Sequence, residues 1–190
     1  MNPLFPIFLK AHQLNLLIVG GGNVAEEKLG FLLKGSPEAR VTVVGTTIKE
    51  EVRVLAEGKP NVVLHERPFA WNDLDGRHIV ICATDDRPLH EAIKQETEKR
   101  SILTNVADTP ELCDFYLGGV VTKGDLKIAI STNGKSPTLA KRIRQYLEEA
   151  LPDDTQSLID NLRAYRSTLK GDFADKVREM NEVTASLLKK

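Results

Sequence analysis

The sequence predicts an α/β protein: a doubly wound parallel sheet, then a small α+β region, then a helical tail. Three observations predict it. Short Val- and Ile-rich runs alternate with longer segments of helical period, a glycine-rich turn stands directly behind the first run, and no strand signal appears from residue 153 onward. A chain of 190 residues allows one domain, or one with an appendage, and is long enough to bury a sizeable core.

Residues 14–19, 41–44, 62–65, 78–83 and 102–106 are the expected strands. Each is nearly continuously apolar, as parallel strands covered on both faces are. Between them, residues 24–34, 48–57 and 88–99 mix apolar and charged side chains as surface helices do. Residues 116–121 and 126–131 read as two strands joined by the tight turn Lys123-Gly124-Asp125. Ser136 is the expected N-cap and Pro137 the first position of a helix that runs to about residue 151, where Pro152 stops it. Two further helices are expected over 155–169 and 172–188, meeting near Lys170-Gly171.

Composition removes several function classes. Lys and Arg number 26 against 27 Asp and Glu, a net charge of −1, so no overall field draws the molecule to nucleic acid or anionic lipid. Two cysteines make no disulfide framework, their spacing is not that of a clustered metal site, and Cys82 lies in an apolar run that reads as core. The four histidines are scattered, none paired at a helix-face spacing, so no metal site is expected. Neither a G-x-S-x-G elbow nor a P-loop is present. No apolar stretch reaches the roughly 18 residues of a membrane span. Lys10 and His12 fall inside what would have to be the apolar part of a signal peptide, so the expectation is a cytoplasmic protein.

Leu16-Leu17-Ile18-Val19 runs directly into Gly20-Gly21-Gly22-Asn23-Val24-Ala25 and a helical Glu26-Glu27-Lys28-Leu29. Gly20, Gly22 and Ala25 fit G-x-G-x-x-G/A, the Rossmann dinucleotide fingerprint. Gly20 suits the tight turn, Gly22 the close approach of a pyrophosphate, and Ala25 close helix–strand packing. The helix N-terminus then offers N–H groups and a favourable dipole to the phosphates. After the second strand, where an Asp or Glu often takes the ribose hydroxyls, the chain has Gly45-Thr46-Thr47, and no Arg stands there to welcome a 2′-phosphate. NAD is the favoured cofactor.

Ligands in open α/β sheets bind beyond the carboxyl ends of the strands. Two more such ends are polar, Ala83-Thr84-Asp85-Asp86 and Asn105-Val106-Ala107-Asp108. Thr84 or Asp85 reads equally well as a helix N-cap or as a cofactor contact. Asp108 reads most plainly as a turn former before Thr109-Pro110. A carboxylate part-buried beside a nicotinamide would also suit a general base. Between Leu117 and Gln145, six basic residues (Lys123, Lys127, Lys135, Lys141, Arg142, Arg144) face one acid, Asp125. Such an excess points to an anionic ligand or to a solvated basic face. The adjoining loop Ser131-Thr132-Asn133-Gly134-Lys135-Ser136, just ahead of a helix, favours the ligand as a carboxylate or phosphate site.

Taken in order, Leu4-Phe5-Pro6-Ile7-Phe8-Leu9, the glycine turn with Glu26-Glu27-Lys28, Ala83-Thr84-Asp85-Asp86, Asn105-Val106-Ala107-Asp108 and the stretch from Leu126 to Pro137 resemble the precorrin-2 dehydrogenase / sirohydrochlorin ferrochelatase family of siroheme synthesis. The resemblance covers nearly the whole chain. It implies an NAD-binding Rossmann domain over 1–113, a small dimerisation domain over 114–147 and a C-terminal helical domain over 148–190. It implies NAD-dependent oxidation of precorrin-2 to sirohydrochlorin by a homodimer, with Asp108 as the general base. Asn23, Val24, Thr46 and Thr47 fall on NAD-contacting positions, and Gly20, Gly22, Ala25, Ala83, Thr84 and Asp85 complete the expected cofactor site. Ser131, Thr132, Asn133, Gly134, Lys135 and Ser136 form the expected substrate loop. Within it Thr132 matches a serine phosphorylated in some relatives and is expected to contact a substrate carboxylate, while Asn133 replaces a usual glycine, which bears on the loop's backbone angles. The acetates and propionates of a tetrapyrrole give the basic region a purpose. The chain has no room for the methyltransferase fused to some relatives, so precorrin-2 is expected from a separate enzyme. Two other readings remain at this level: a bifunctional enzyme that also inserts ferrous iron, and a non-catalytic NAD(H)-sensing module.

Overall fold

The computed structural model describes residues 2–185, which divide into two compact units. One holds the chain up to Gly118 together with Ser131–Ser136; the other holds Gly119–Ile130 and the residues from Pro137 onward.

In the first unit β1 (Asn15–Val19), β2 (Arg40–Gly45), β3 (Val62–Glu66), β4 (Ile79–Cys82) and β5 (Leu103–Val106) form one parallel sheet in the order β3-β2-β1-β4-β5. α1 (Asn23–Gly35), α2 (Glu50–Ala56) and α3 (Arg87–Lys99) connect them. The order reverses between β1 and β4, the switch point at which open α/β sheets bind ligands. Val19 lies opposite Val44 and Cys82, and Cys82 opposite Val106, so four strands end level at one edge.

Alternation along β1 builds two core layers. Leu16 and Ile18 pack with Ala25 and Leu29 of α1 and Val52 of α2, whereas Leu17 and Val19 pack with Ile93 of α3 and with Leu74. Full burial of each Leu, Ile or Val among them contributes about 1.5–3 kcal/mol. β3 and β5 depart from the expected covering on both faces. They are the sheet's edges, and Val63 and Leu103 stay 45% and 42% exposed. The edge at β5 is clasped by Asp114, whose N–H donates to the Thr104 carbonyl at 2.8 Å and whose Oδ2 accepts from the Thr104 N–H at 2.9 Å. Lys94 of α3 holds that carboxylate at 2.6 Å. Burial pulls the Lys94 ammonium down, but Asp114 and Glu98 outweigh it and hold it above its ordinary value.

The β4–α3 turn corrects one expectation. The N-cap of α3 is Asp86, whose Oδ1 accepts from the Leu89 N–H at 3.0 Å; neither Thr84 nor Asp85 serves. Arg87 and Pro88 occupy the first two helical positions, which shifts the cap later than the bare Thr-Asp-Asp string suggests. Thr84 instead makes a 2.7 Å hydrogen bond with Nε2 of His90, a buried residue one turn into α3.

In the second unit β6 (Gly119–Lys123) and β7 (Leu126–Ile130) pair antiparallel around Gly124, whose φ is +59°. β6 begins at Gly119, later than the expected residue 116. α4 (Pro137–Ala150) opens on Pro137 as expected and packs on β6. α5 (Thr155–Thr168) follows, anchored by the Gln156 Oε1 that accepts from the Asp125 N–H at 2.7 Å. α6 (Phe173–Thr184) starts at an Asp172 cap; its expected continuation to residue 188 lies outside the described residues. Among the described residues no helix is long and apolar enough to cross a membrane.

Burial pushes the His90 imidazole below its ordinary value, against the pull of Asp86 and Asp85. The folded protein therefore binds this proton more weakly than the unfolded chain. Stability present above about pH 6.5 is lost as the pH falls through the lowered folded value. His90→Asn keeps a hydrogen-bonding amide without a titrating ring, and is expected to flatten that limb when urea midpoints are measured from about pH 7 to about pH 4.5.

Candidate active site

The glycine turn is threaded between the ends of β2 and β4. The Gly20 N–H donates to the Val44 carbonyl at 2.7 Å, and a Cβ on Gly20, at φ +124°, would sit 2.3 Å from the Ala83 carbonyl oxygen. A Cβ on Gly21 would lie 2.2 Å from the Thr47 carbonyl oxygen. Gly21, the variable position of the fingerprint, is therefore as constrained as Gly20. Gly22 differs: a Cβ there would meet nothing within 4 Å. Gly22 is also the N-cap of α1 and offers no side chain to the first-turn N–H groups of Asn23, Val24 and Ala25. Ala25 is fully buried and lets α1 lie close to the sheet, while Val24 packs partly on the core and Asn23 is exposed. An open floor bounded by helix N–H groups fits a pyrophosphate, so the residues present suit a dinucleotide.

Thr46 and Thr47 follow β2 and are exposed on the adjoining wall. Lys49 stands beside them, and sequence reading passed over it. Its N–H donates to the Gly21 carbonyl at 2.9 Å, and its Nζ donates to Asn23 Oδ1 at 2.6 Å. The signal available in the sequence was a cation four residues past the end of β2.

Beyond β4, Ala83 is buried with its backbone against Gly20, Thr84 is half-buried and Asp85 is exposed. Beyond β5, Asp108 is exposed rather than part-buried. Its φ of +56° is left-handed, which Asp tolerates better than most residues. The turn that carries it is fixed from below. The Cys113 thiol accepts from the Val106 N–H at 3.2 Å and donates to the Val106 carbonyl at 3.2 Å, and Asn105 Nδ2 donates to the Phe115 carbonyl at 2.8 Å. Burial pushes the Cys113 thiol up and takes Cys82 to about 12, so neither is a ready nucleophile.

Ser131–Ser136 belongs by its contacts to the first unit, although the hairpin and helix flanking it belong to the second. The loop is tied to itself: Ser131 Oγ accepts from the Asn133 N–H and Thr132 Oγ1 from the Ser136 N–H, each at 3.1 Å. Asn133 takes φ +54° and Gly134 φ +73°. Asn133 thus holds a backbone angle that glycine would favour, and asparagine is among the few other residues to adopt it readily. Lys135 is exposed. The basic excess of the region is smaller than the string 117–145 implies, because acids just past that window answer it. Lys123 pairs with Asp153, and Arg144 with Glu148 one turn on. A hollow of about 650 Å³ along α6, lined among others by Phe173, Val177 and Asn181, holds none of the predicted site residues.

A family model described as putative NAD(P)-binding matches residues 7–119, and one described as sirohaem biosynthesis protein central matches residues 123–150. The siroheme synthase of Pseudoalteromonas atlantica is 37% identical over 169 residues, which cover 89% of this chain and 36% of that protein. That of Hydrogenovibrio crunogenus is 38% identical over 174 residues, 90% of this chain and 36% of that protein. The chain spans about a third of the length of these curated relatives. A solved structure of SirC, a precorrin-2 dehydrogenase, is similar with a TM-score of 0.76 and 24% identity, covering 95% of this chain and 89% of its own, and shows the same fold. The resemblance read from the motifs is thereby borne out. With a five-stranded switch-point sheet and a glycine turn open at Gly22, and with the first model spanning more than half its length, the chain belongs to the family described as putative NAD(P)-binding.

Proposed function

We propose that the chain is an NAD-dependent dehydrogenase that oxidises precorrin-2 to sirohydrochlorin in the cytoplasm. The observation that carries this reading is that an open dinucleotide cradle at Gly22, the Asp108 carboxylate beyond β5 and the 131–136 loop all belong to one compact unit. One similar protein is named a precorrin-2 dehydrogenase and others siroheme synthases, which supports this reading.

Bound NAD supplies the hydride acceptor. The chain's own residues do the rest. N–H groups at the start of α1 hold the pyrophosphate, and Thr46, Thr47, Thr84 and Asp85 line the crevice that orients the dinucleotide. Asp108, exposed and fixed on its turn, takes the proton that leaves the tetrapyrrole carbon framework. Exposure suits a base that must meet a large ring rather than a small molecule drawn into a pocket. Lys135 and the hydroxyls of Ser131, Thr132 and Ser136, with Asn133 and Gly134 shaping the turn, take peripheral carboxylates of the substrate. The division into a cofactor domain over 1–113, a dimerisation domain over 114–147 and a helical domain over 148–190 belongs to the same proposal. An exposed apolar row on α4, Leu139, Ile143 and Tyr146, supports a homodimer.

The test is an anaerobic assay with enzymatically generated precorrin-2 and NAD+, following sirohydrochlorin absorbance. Turnover is expected from the native chain, and absence of turnover from folded, NAD-binding protein contradicts the proposal. Asp108→Asn is expected to lower kcat by about 10²–10⁴-fold while NAD+ still binds. Full activity in that variant would remove Asp108 from the role of base.

A further inference from the structure

Resting on that reading, we infer that Lys49 is the residue that determines cofactor specificity, and that the cleft takes NADP as well as NAD because the Lys49 ammonium receives the 2′-phosphate. In this fold the adenosine ribose lies at the end of β2, where a carboxylate both binds the hydroxyls and repels a 2′-phosphate. Here that end carries Thr46-Thr47-Ile48-Lys49, with both threonines exposed. The carboxylate that β3 brings alongside is already occupied. Glu66 Oε1 accepts from the Ile48 N–H at 2.9 Å, and Oε2 pairs with Arg53 at 2.8 Å. The repelling element of an NAD-only site is therefore missing from its usual place.

Lys49 takes that place from the other side. Its backbone is bonded to Gly21, and its Nζ reaches Asn23, the residue that follows the open Gly22. The ammonium thus bridges the end of β2 and the start of α1, the two walls between which the ribose must sit. Lysine binds phosphate as a point charge, and a hydrogen bond of this charged kind contributes about 1.5–3 kcal/mol, or roughly 10–100-fold in affinity. Two carboxylates oppose the phosphate: Glu51 at 3.4 Å and Glu26 at 3.5 Å from Nζ, both farther than the amide oxygen of Asn23. A backbone N–H and then Lys49 itself keep the Glu51 carboxyl below the usual carboxylate range, so it is ionised at neutral pH. Specificity is set by the balance of Lys49 against Glu51 and Glu26. The outcome is a site that tolerates a 2′-phosphate without requiring one.

Calorimetric titration of the full chain with NAD+ and with NADP+ tests this, the readout being the ratio of the two Kd values. NADP+ is expected to bind the native chain within about a hundredfold of NAD+. Lys49→Met is expected to raise the ratio Kd(NADP+)/Kd(NAD+) by about tenfold or more, and Glu51→Gln to lower it by about threefold. A ratio unmoved by Lys49→Met, or NADP+ binding too weak to measure beside clear NAD+ binding, overturns the assignment while leaving the proposed function standing. No binding of NAD+ to the folded native chain overturns both.

Discussion

Backbone packs on backbone where the glycine turn passes between the ends of β2 and β4, and the geometry of the first unit depends on that contact. Gly20 lies against the Ala83 carbonyl and Gly21 against the Thr47 carbonyl, with no space for a side chain at either. The approach brings the start of α1, with its first-turn N–H groups, to the switch point of the sheet. Buried apolar side chains above and below β1 supply the driving force, but they are compatible with many helix entry angles. The close contacts at Gly20 and Gly21 select one.

Polar groups around the crevice divide into those that hold the scaffold and those left available to a ligand. Asp86 is spent on capping α3, Glu66 on Ile48 and Arg53, Asn105 on the Phe115 carbonyl, and Asp114 on Thr104 and Lys94. Thr46, Thr47, Asp85 and Asp108 remain exposed at level strand ends. That division is what lets one edge of a sheet be both rigid and receptive, since each scaffold carboxylate removes the freedom of a loop that presents an exposed neighbour.

The elements that bury two faces were the most legible in the sequence. β1, β2 and β4 read as continuous apolar runs because they lie inside the sheet, and their expected and observed limits differ by a residue or two. β3 and β5 carry a similar composition, yet sheet order alone made them edges, and nothing local in residues 62–65 or 102–106 records which strand has a neighbour on one side only. Among the site residues, Gly20, Gly22 and Ala25 were legible because each answers a steric demand that is fixed by the turn itself. Gly21, Lys49 and His90 were not, because their roles come from partners 26 or more residues away or from a side chain buried by tertiary packing. The cap of α3 was misplaced by one or two residues because three consecutive capping types, Thr84, Asp85 and Asp86, leave the choice to the position of Pro88.

The open ground at Gly22 is kept for a dinucleotide. Gly22 has φ −91°, and a Cβ there would meet nothing within 4 Å, so the position has room for a side chain in the absence of ligand. The direct measurement is a Gly22→Val substitution, followed by both thermal unfolding and calorimetric titration with NAD+. The midpoint is expected to stay within about 2–4 °C of the native chain, while NAD+ affinity falls by about tenfold or more. NAD+ binding undiminished in a folded Gly22→Val protein would contradict it.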